Sequence, residues 1–103
     1  TKAEDLIAAT GPCICFDCFE VGIEIGRQFA EEFHSEELMK PGKTGKAYVD
    51  IRAAIEIQLE ECGVLPQNIS AMPLCTFERS DLFYSYRRDR TQTGAMVSVL
   101  KLI

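Results

Sequence analysis

The chain has 103 residues, enough for one small domain with a single hydrophobic core. Hydrophobic residues make up 47% of it and charged residues 26%, as in ordinary globular proteins, and no apolar run is long enough to cross a bilayer. The net charge of -5, from 16 acidic and 11 basic residues, disfavours nucleic-acid binding, which needs a broad basic surface. We therefore expect no nucleic-acid partner and no membrane partner.

The start of the chain and its cysteines indicate its setting. The sequence opens at Thr1 without a methionine and reaches an apolar run by Leu6, so we expect a fragment of a longer protein. Five cysteines, an odd number, with no N-terminal leader favour reduced thiols. These features predict a cytoplasmic location.

The first two predicted elements are a strand and a helix. The apolar run from Leu6 to Thr10 predicts a buried strand, which Gly11-Pro12 ends. A helix is predicted from Phe19 to Phe33, because large apolar residues recur at every fourth position: Val21, Ile25, Phe29 and Phe33. A second stripe on the same helix consists of small residues that permit close backbone approach: Gly22, Gly26 and Ala30.

The rest of the chain alternates loops, helix and strands. Residues 35 to 47 are polar and contain Pro41-Gly42 and Gly45, which predicts a loop. A second helix is predicted to begin at Asp50 and to stop at Gly63. Two β-prone stretches follow, Ile69 to Cys75 and Ala95 to Ile103. This order of elements predicts an α/β or α+β fold.

The most unusual segment lies between those two stretches and reads Phe83-Tyr84-Ser85-Tyr86-Arg87-Arg88-Asp89, hereafter the arginine segment. It places adjacent guanidinium groups beside aromatic rings in an acidic chain. Arginine binds carboxylates and phosphates through two parallel hydrogen bonds and stacks on aromatic faces, so the segment favours an anion site. The alternative is that Arg87, Arg88 and Arg90 pair with surface carboxylates such as Asp81 and Asp89.

Three cysteines lie close together after the first strand, with Cys13, Cys15 and Cys18 forming a CxCxxC pattern. They could bind zinc if a fourth ligand came from Cys62, Cys75 or His34. The second pair of ligands that structural zinc sites usually have is missing, which favours free thiols. A catalytic pairing of a cysteine with His34 is a further reading, although no spacing argues for it.

Two other polar residues are candidates. Asp50 follows a glycine-containing loop, where a carboxylate can cap the helix or reach a ligand. Thr76 follows Cys75 at a predicted strand end, where open sheets present functional groups.

Several motifs resemble, in order and spacing, the laccase-domain family. They are Gly11-Pro12-Cys13-Ile14, Phe19-Glu20-Val21-Gly22, Cys75-Thr76 and the arginine segment followed by Thr93-Gly94. The resemblance covers essentially all of residues 1–103 and implies the C-terminal part of a single laccase-family domain. The fold it implies is α+β, with a mixed β-sheet and flanking helices, as the C-terminal half of a larger α/β sandwich.

The resemblance also implies a function for the parent protein. Members of this family were named multicopper polyphenol oxidoreductases and are regarded as zinc-dependent purine nucleoside phosphorylases, with adenosine deaminase activity also ascribed to them. Their zinc is held by two histidines and a cysteine in motifs resembling QVHG, ADC and HAGWRG, none of which occurs here. The metal ligands are thus expected upstream of Thr1, with none in this chain, and the fragment alone is expected to be inactive.

Within this chain, the resemblance makes Arg87 and Arg88 the candidates for binding phosphate or supporting the site, with Tyr86, Thr76 and Asp50 as weaker candidates. The ligands expected for the parent are a purine nucleoside and phosphate. Because the N-terminal half is missing, apolar surface and sheet edges would be uncovered, so we expect self-association or pairing with that half.

Two other functions remain open. The first is a non-catalytic structural or interaction remnant, favoured by Ala95, which stands where the family pattern after Thr93-Gly94 has an arginine. The second is a copper-dependent polyphenol oxidase, as the older family name implies, although this chain offers no histidine cluster for copper.

Overall fold

The structure is a computed structural model, and it describes residues 2–100. Its strands are β1 (Ala8–Thr10), β2 (Glu20–Gly22), β3 (Met39–Pro41), β4 (Lys46–Val49) and β5 (Ile69–Ala71), and its helices are α1 (Ile23–Glu32), α2 (Ile51–Glu61) and α3 (Tyr86–Asp89). Strands β1 and β5 form a parallel pair, whereas β2, β4 and β3 form an antiparallel sheet in that order. The mixture of sheets and helices confirms the predicted α+β fold.

Helix α2 follows the sequence prediction closely. The Asp50 side chain accepts a hydrogen bond from the backbone N–H of Ala53 at 3.1 Å, which satisfies one of the free donors in the first turn. Gly63 has a φ of +102°, a conformation that glycine adopts without strain, and the helix has ended by this point. The predicted cap and stop are both confirmed.

Helix α1 begins later than predicted and packs on the sheet through its small residues. Residues 20–22 pair with β4 as strand β2, with Val21 opposite Ala47. Ile25, from the stripe of large residues, is 41% exposed, whereas Gly26 and Ala30 are buried. A Cβ atom built on Gly26 would lie only 3.0 Å from the Cβ of Ala47. The helix therefore packs on β4 through its small residues, as their predicted close approach allows, whereas Ile25 of the large stripe faces solvent.

The predicted loop over residues 35 to 47 is largely a β-hairpin. Strand β3 pairs with β4 in antiparallel register, with Met39 opposite Val49. The turn between them is closed by a hydrogen bond from the Lys46 N–H to the Lys43 carbonyl oxygen at 2.8 Å, and Gly45 has a φ of +77°. Ala47 and Val49 are fully buried, so β4 lies at the centre of the sheet and of the core.

The predicted outer strands are shorter than their apolar runs. Strand β1 starts only at Ala8, and Ile7 is 84% exposed, because this strand has β5 as its single neighbour. Strand β5 ends at Ala71, after which Cys75 forms an isolated parallel bridge with Cys13. Residues 95–100 form no strand and are exposed, and the remainder of the last predicted strand, 101–103, lies outside the described residues.

The molecule is flattened, and its core is small. Its extents are 46 × 34 × 18 Å, and its radius of gyration is 15.4 Å, compared with about 13 Å for a compact domain of this length. Within residues 2–100, the buried hydrophobic side chains are Ala30, Leu38, Ala47, Val49, Ala54, Val64 and Cys75. No helix in this part of the chain is both long and apolar enough to cross a membrane.

Candidate functional site

The arginine segment folds into one helical turn, α3, with defined ends. The hydroxyl of Ser85, a buried residue, accepts a hydrogen bond from the Arg88 N–H at 3.3 Å and caps this turn. Arg90 follows with a φ of +56°, a left-handed conformation that stops the helix. The two adjacent arginines of this turn have different hydrogen-bond partners.

Arg88 is a clamp for the loop that precedes it. Its Nη1 atom donates to the carbonyl oxygens of Thr76 and Phe77 at 2.9 and 3.0 Å, and its Nη2 atom donates to the Phe83 carbonyl oxygen at 2.9 Å. The Nε and Nη2 atoms also bind the Asp89 carboxylate, at 2.7 to 3.0 Å. All five N–H groups therefore have acceptors within the chain.

The pairing of Arg88 with Asp89 is partly shielded from solvent, since their side chains are 19% and 32% exposed. The hydrogen bonds from Arg88 lower the pKa of the Asp89 carboxyl and so favour its charged form. Asp81 pairs instead with Arg79, through two hydrogen bonds of 2.9 and 3.0 Å. The predicted alternative, pairing with nearby carboxylates, therefore holds for Arg88, which pairs with Asp89 and not with Asp81.

Arg87 is exposed and has few protein contacts. Its Nη1 atom donates to the carbonyl oxygen of Glu20 at 2.8 Å, and its guanidinium carbon lies 5.1 Å from the centroid of the Phe19 ring. No other acceptor for this guanidinium occurs within residues 2–100, so most of its donors are available to an anion. The contact also joins the arginine segment to the Phe19-Glu20-Val21-Gly22 motif.

The weaker candidates lie apart from one another. Tyr86 is 62% exposed on α3, and Thr76 is half-buried with its carbonyl oxygen bound by Arg88. Asp50 caps α2 and lines a cleft together with Cys15 and Glu56. Arg88 lines a different cleft, whose other lining residues include Ser80 and Gln92. The structure therefore does not gather the five candidates into one pocket.

A second group of polar side chains lies beyond the carboxyl ends of β1 and β5. The N–H of Thr76 donates to the Cys13 carbonyl oxygen at 3.2 Å, which continues the parallel pairing beyond both strands. Each of the two segments then makes a tight turn. The Cys18 N–H donates to the Cys15 carbonyl oxygen at 3.1 Å, and the Arg79 N–H donates to the Cys75 carbonyl oxygen at 3.0 Å. The two turns face each other.

These turns bring four side chains together. The ligand atoms of Cys15, Cys18, Cys75 and Glu78 all lie within 4.8 Å of one another, and we call this group the cysteine cluster. The thiols of Cys15 and Cys18 each donate to Oε1 of Glu78 at 3.2 Å. Cys13, Cys62 and His34 are not members of the cluster. Among the three residues predicted as a possible fourth ligand, Cys62, Cys75 and His34, it is Cys75 that lies in the cluster.

Sequence reasoning missed Glu78, although a signal for it was present. Cys75-Thr76-Phe77-Glu78 has the same separation between its outer residues as Cys15-Phe16-Asp17-Cys18. A second pair made only of cysteines or histidines does not include a carboxylate, which is also an accepted zinc ligand.

The thiols of the cluster are not equivalent. Burial disfavours ionisation of Cys75, but hydrogen bonds from the backbone N–H groups of Cys15, Glu78 and Phe77 outweigh it and lower the pKa of this thiol. Burial, followed by the hydrogen bond to Glu78, raises the pKa of Cys18, and burial also raises the pKa of Cys15. Cys75 is therefore the first of the three to ionise.

The described residues do not fit the metal set of two histidines and one cysteine that the family resemblance implies. The only histidine of the sequence, His34, is exposed just after α1, with a φ of +52°, and it belongs to no group of potential ligands. We accordingly derive no catalytic step through such a metal from this chain.

The fold and the two sites define an α+β chain with an arginine clamp and a cysteine cluster on adjoining loops. Residues 1–103 match the family model described as multi-copper polyphenol oxidoreductase laccase. The chain belongs to this family, which confirms the predicted resemblance.

Named relatives carry two activities. The chain is 39% identical over 94 residues to Adenosine deaminase RL5 of an unknown prokaryotic organism, covering 84% of this chain and 36% of that protein. It is 36% identical over 101 residues to a purine nucleoside phosphorylase of Deinococcus radiodurans, covering 98% and 38% respectively. It is 33% identical over 105 residues to Purine nucleoside phosphorylase LACC1 of Mus musculus, covering 96% and 24%. The chain thus spans well under half the length of each of these relatives.

A solved structure has the same fold. Protein YfiH of Bacillus licheniformis superposes with a TM-score of 0.83 at 25% identity, covering 91% of this chain and 36% of that one. YlmD of Geobacillus stearothermophilus superposes with a TM-score of 0.73 at 29% identity, covering 84% and 33%.

Proposed function

We propose that the protein containing this chain is a purine nucleoside phosphorylase. In this reaction a phosphate oxygen attacks the anomeric carbon of the nucleoside, the bond from that carbon to the purine nitrogen breaks, and the products are a sugar 1-phosphate and the free base. The proposal is supported by the relatives from Deinococcus radiodurans and Mus musculus that carry this name and that match nearly the whole chain.

The observation that carries the proposal within this chain is the state of Arg87. Its guanidinium is exposed, and it is oriented by a carbonyl oxygen and an aromatic ring rather than neutralised by a carboxylate. A cation held in this way can bind phosphate with little reorganisation. Arg88 has a supporting role in the proposal, since its donors are occupied by the loop that it clamps. Tyr86, Thr76 and Asp50 remain candidates for contacts around the site.

We propose that the metal centre of the reaction lies outside this chain. The zinc that the family resemblance implies would be bound by residues that precede Thr1 in a longer protein, and the nucleoside would lie between them and Arg87. We further propose a cytoplasmic location, which is supported by the five free cysteines.

Adenosine deamination is a second candidate activity, because a relative of 39% identity carries that name. It would release ammonia from adenosine without phosphate. Polyphenol oxidation is supported by the description of the family alone. A non-catalytic remnant is supported by Ala95, which replaces the arginine of the family pattern.

The test uses the full-length protein that carries this sequence, incubated with inosine or adenosine in the presence and absence of phosphate. Base and sugar 1-phosphate that form only with phosphate would support the proposal, whereas inosine formed from adenosine without phosphate would identify a deaminase. Replacing Arg87 by alanine should lower kcat/KM for phosphorolysis by about 10-fold or more, chiefly through a raised KM for phosphate.

Arg27→Ala is the matched control, because Arg27 is an exposed arginine of α1 outside the arginine segment. Unchanged kinetics in Arg87→Ala would remove this residue from the phosphate site. The absence of any purine product from the unmodified protein would favour the non-catalytic remnant.

We also propose that this chain is covered by a partner, either the remainder of its domain or a second copy. Support comes from the flattened shape and from large hydrophobic residues that are exposed in several elements. Ile25 on α1, Leu82 in the loop before α3 and Val97 near the C-terminus are 41%, 52% and 83% exposed.

A further inference from the structure

We propose that the cysteine cluster, Cys15, Cys18, Cys75 and Glu78, is a zinc site that is separate from the metal centre implied by the family resemblance. All four ligands lie within this chain, and the site is formed by two facing turns at the carboxyl ends of β1 and β5. The inference is independent of the proposed phosphorylase activity.

The spacing and geometry suit zinc. Each turn offers two ligands separated by two residues, Cys15 with Cys18 and Cys75 with Glu78, as in the paired turns of structural zinc sites. With Zn–S bonds of about 2.3 Å, the ligand atoms of a tetrahedral site are about 3.8 Å apart. The four atoms here are already within 4.8 Å of one another, so inward movements of about 1 Å or less complete the site.

The existing hydrogen bonds show where protons would leave. The Cys15 and Cys18 thiols both donate to the same oxygen of Glu78, so the carboxylate already occupies a position between two sulfur atoms. Zn²⁺ would replace these two protons, and the proton of Cys75 if that thiol is not yet ionised, releasing them to solvent while the carboxylate stays charged. No oxidation or reduction is involved.

The backbone supports a thiolate at Cys75. Its Sγ atom accepts a hydrogen bond from the Cys15 N–H at 3.3 Å, which joins the two turns directly. On either side of Cys75 an arginine binds the main chain: Arg52 donates to the Leu74 carbonyl oxygen at 3.3 Å, and Arg88 donates to that of Thr76 at 2.9 Å. These hydrogen bonds fix the turn that carries Cys75.

The ligand set also selects the class of metal. Three sulfur atoms favour a thiophilic ion over magnesium or calcium, which prefer oxygen ligands alone. Four protein ligands around one point fill a tetrahedral zinc, so the site is of the structural kind, with no position kept open for substrate.

The test uses the full-length protein that carries this sequence, reduced and freed of metal, and titrated with Zn²⁺ and with Co²⁺ as a spectroscopic substitute. We expect the unmodified protein to bind one more zinc per chain than the double variant Cys15→Ser, Cys18→Ser by elemental analysis, and with cobalt to show the thiolate charge-transfer absorption and strong visible bands of a tetrahedral site. Cys75→Ser should weaken zinc binding by about 100-fold and Glu78→Gln by about 10-fold. Cys18→Ser provides a second ligand variant should Cys75→Ser fail to fold.

Matched controls are available for both ligand types. Cys62 is an exposed cysteine at the end of α2, and Glu61 is an exposed carboxylate beside it, so Cys62→Ser and Glu61→Gln should bind zinc as the unmodified chain does. The proposal is overturned if the tetrahedral cobalt spectrum is absent, if it persists undiminished in Cys18→Ser, or if mass spectrometry finds a Cys15–Cys18 disulfide formed in reducing buffer with zinc present.

Discussion

The guanidinium of Arg88 donates a hydrogen bond of 2.9 Å to the carbonyl oxygen of Thr76, the residue that follows Cys75. Through this bond the arginine segment and the turn that carries Cys75 and Glu78 hold each other in place. Arg87, by contrast, donates to the carbonyl oxygen of Glu20 at the start of β2. The two adjacent arginines therefore differ in role: Arg88 holds a loop in place, and Arg87 presents an exposed cation.

Replacing Arg88 by lysine tests the clamp. Lysine keeps the charge but has a single nitrogen, which cannot reach three carbonyl oxygens and a carboxylate at once. We expect the midpoint of thermal unfolding to fall by several degrees and zinc affinity to fall several-fold, although no ligand is removed. Arg87→Lys, which alters one carbonyl contact, should leave both nearly unchanged. Equal effects of the two substitutions in calorimetry and zinc titration would argue against the clamp.

The pairing of Arg88 with Asp89 predicts how stability responds to acid. Because the pKa of the Asp89 carboxyl is lowered in the folded chain, its contribution is present above the ordinary aspartate pKa of about 4 and is lost as the pH falls through the folded value. Thermal unfolding followed from about pH 6 to about pH 2 should show a smaller acid-induced loss in Asp89→Asn than in the unmodified chain. Parallel curves for the two proteins would contradict the assignment.

The Asp50 cap predicts a measurable cost for a small change. Asp50→Ala should lower the free energy of unfolding by about 1 kcal/mol, because the Ala53 N–H loses its acceptor. Asp50→Asn keeps an oxygen at the same position and should retain most of the stability. Urea unfolding monitored by circular dichroism measures both. If the full-length protein loses phosphorolysis in Asp50→Asn while stability is kept, Asp50 also contacts the ligand.

The close approach of α1 to β4 predicts that Gly26 resists substitution. An added methyl would lie 3.0 Å from the Ala47 Cβ and 3.3 Å from the Met39 Cε. Alanine normally stabilises a helix by about 1 kcal/mol relative to glycine, but Gly26→Ala should not raise the free energy of unfolding because of this contact. Gly26→Val should lower it by about 1 to 3 kcal/mol. In the double variant Gly26→Ala with Ala47→Gly, the two effects should be less than additive. Additive free energies of unfolding would show that these atoms do not meet.

The uncovered apolar surface predicts self-association of the isolated chain. Sedimentation velocity at increasing concentration should show dimers or larger species, and Val97→Lys should shift the distribution towards monomer. Thr91→Lys adds the same charge at another exposed position without removing an apolar side chain, and should have little effect. A monodisperse monomer at every concentration would count against the partner proposal.

The parts of the fold that sequence could predict are those with local signals. Helix α2 has a cap and a stop within its own sequence, and both act as predicted. The sequence indicates two stripes on α1, and which of Ile25 and Gly26 is buried depends on how closely β4 approaches. The sequence predicts a loop where β3 and β4 form a hairpin, because Pro41-Gly42 and Gly45 mark the turn more strongly than Ala47 and Val49 mark the strand.

The candidate site divides in the same way. The arginine segment stands out by composition, yet its sequence does not reveal that Arg88 is occupied and Arg87 exposed. The sequence indicates the group of Cys13, Cys15 and Cys18 and includes Cys75 among three possible fourth ligands. Choosing Cys75 and recognising Glu78 require knowledge that β1 and β5 are parallel neighbours. Contacts between residues distant in sequence were the information that the sequence did not provide.

The parallel pairing of β1 and β5 has a consequence for the order of folding. Cys15 and Cys75 are 60 residues apart, so their turns meet only after most of the chain has been ordered between them. The sheet of β2, β4 and β3 needs much shorter loops and should form first. The appearance of a tetrahedral cobalt spectrum during refolding would thus report the time at which β1 pairs with β5.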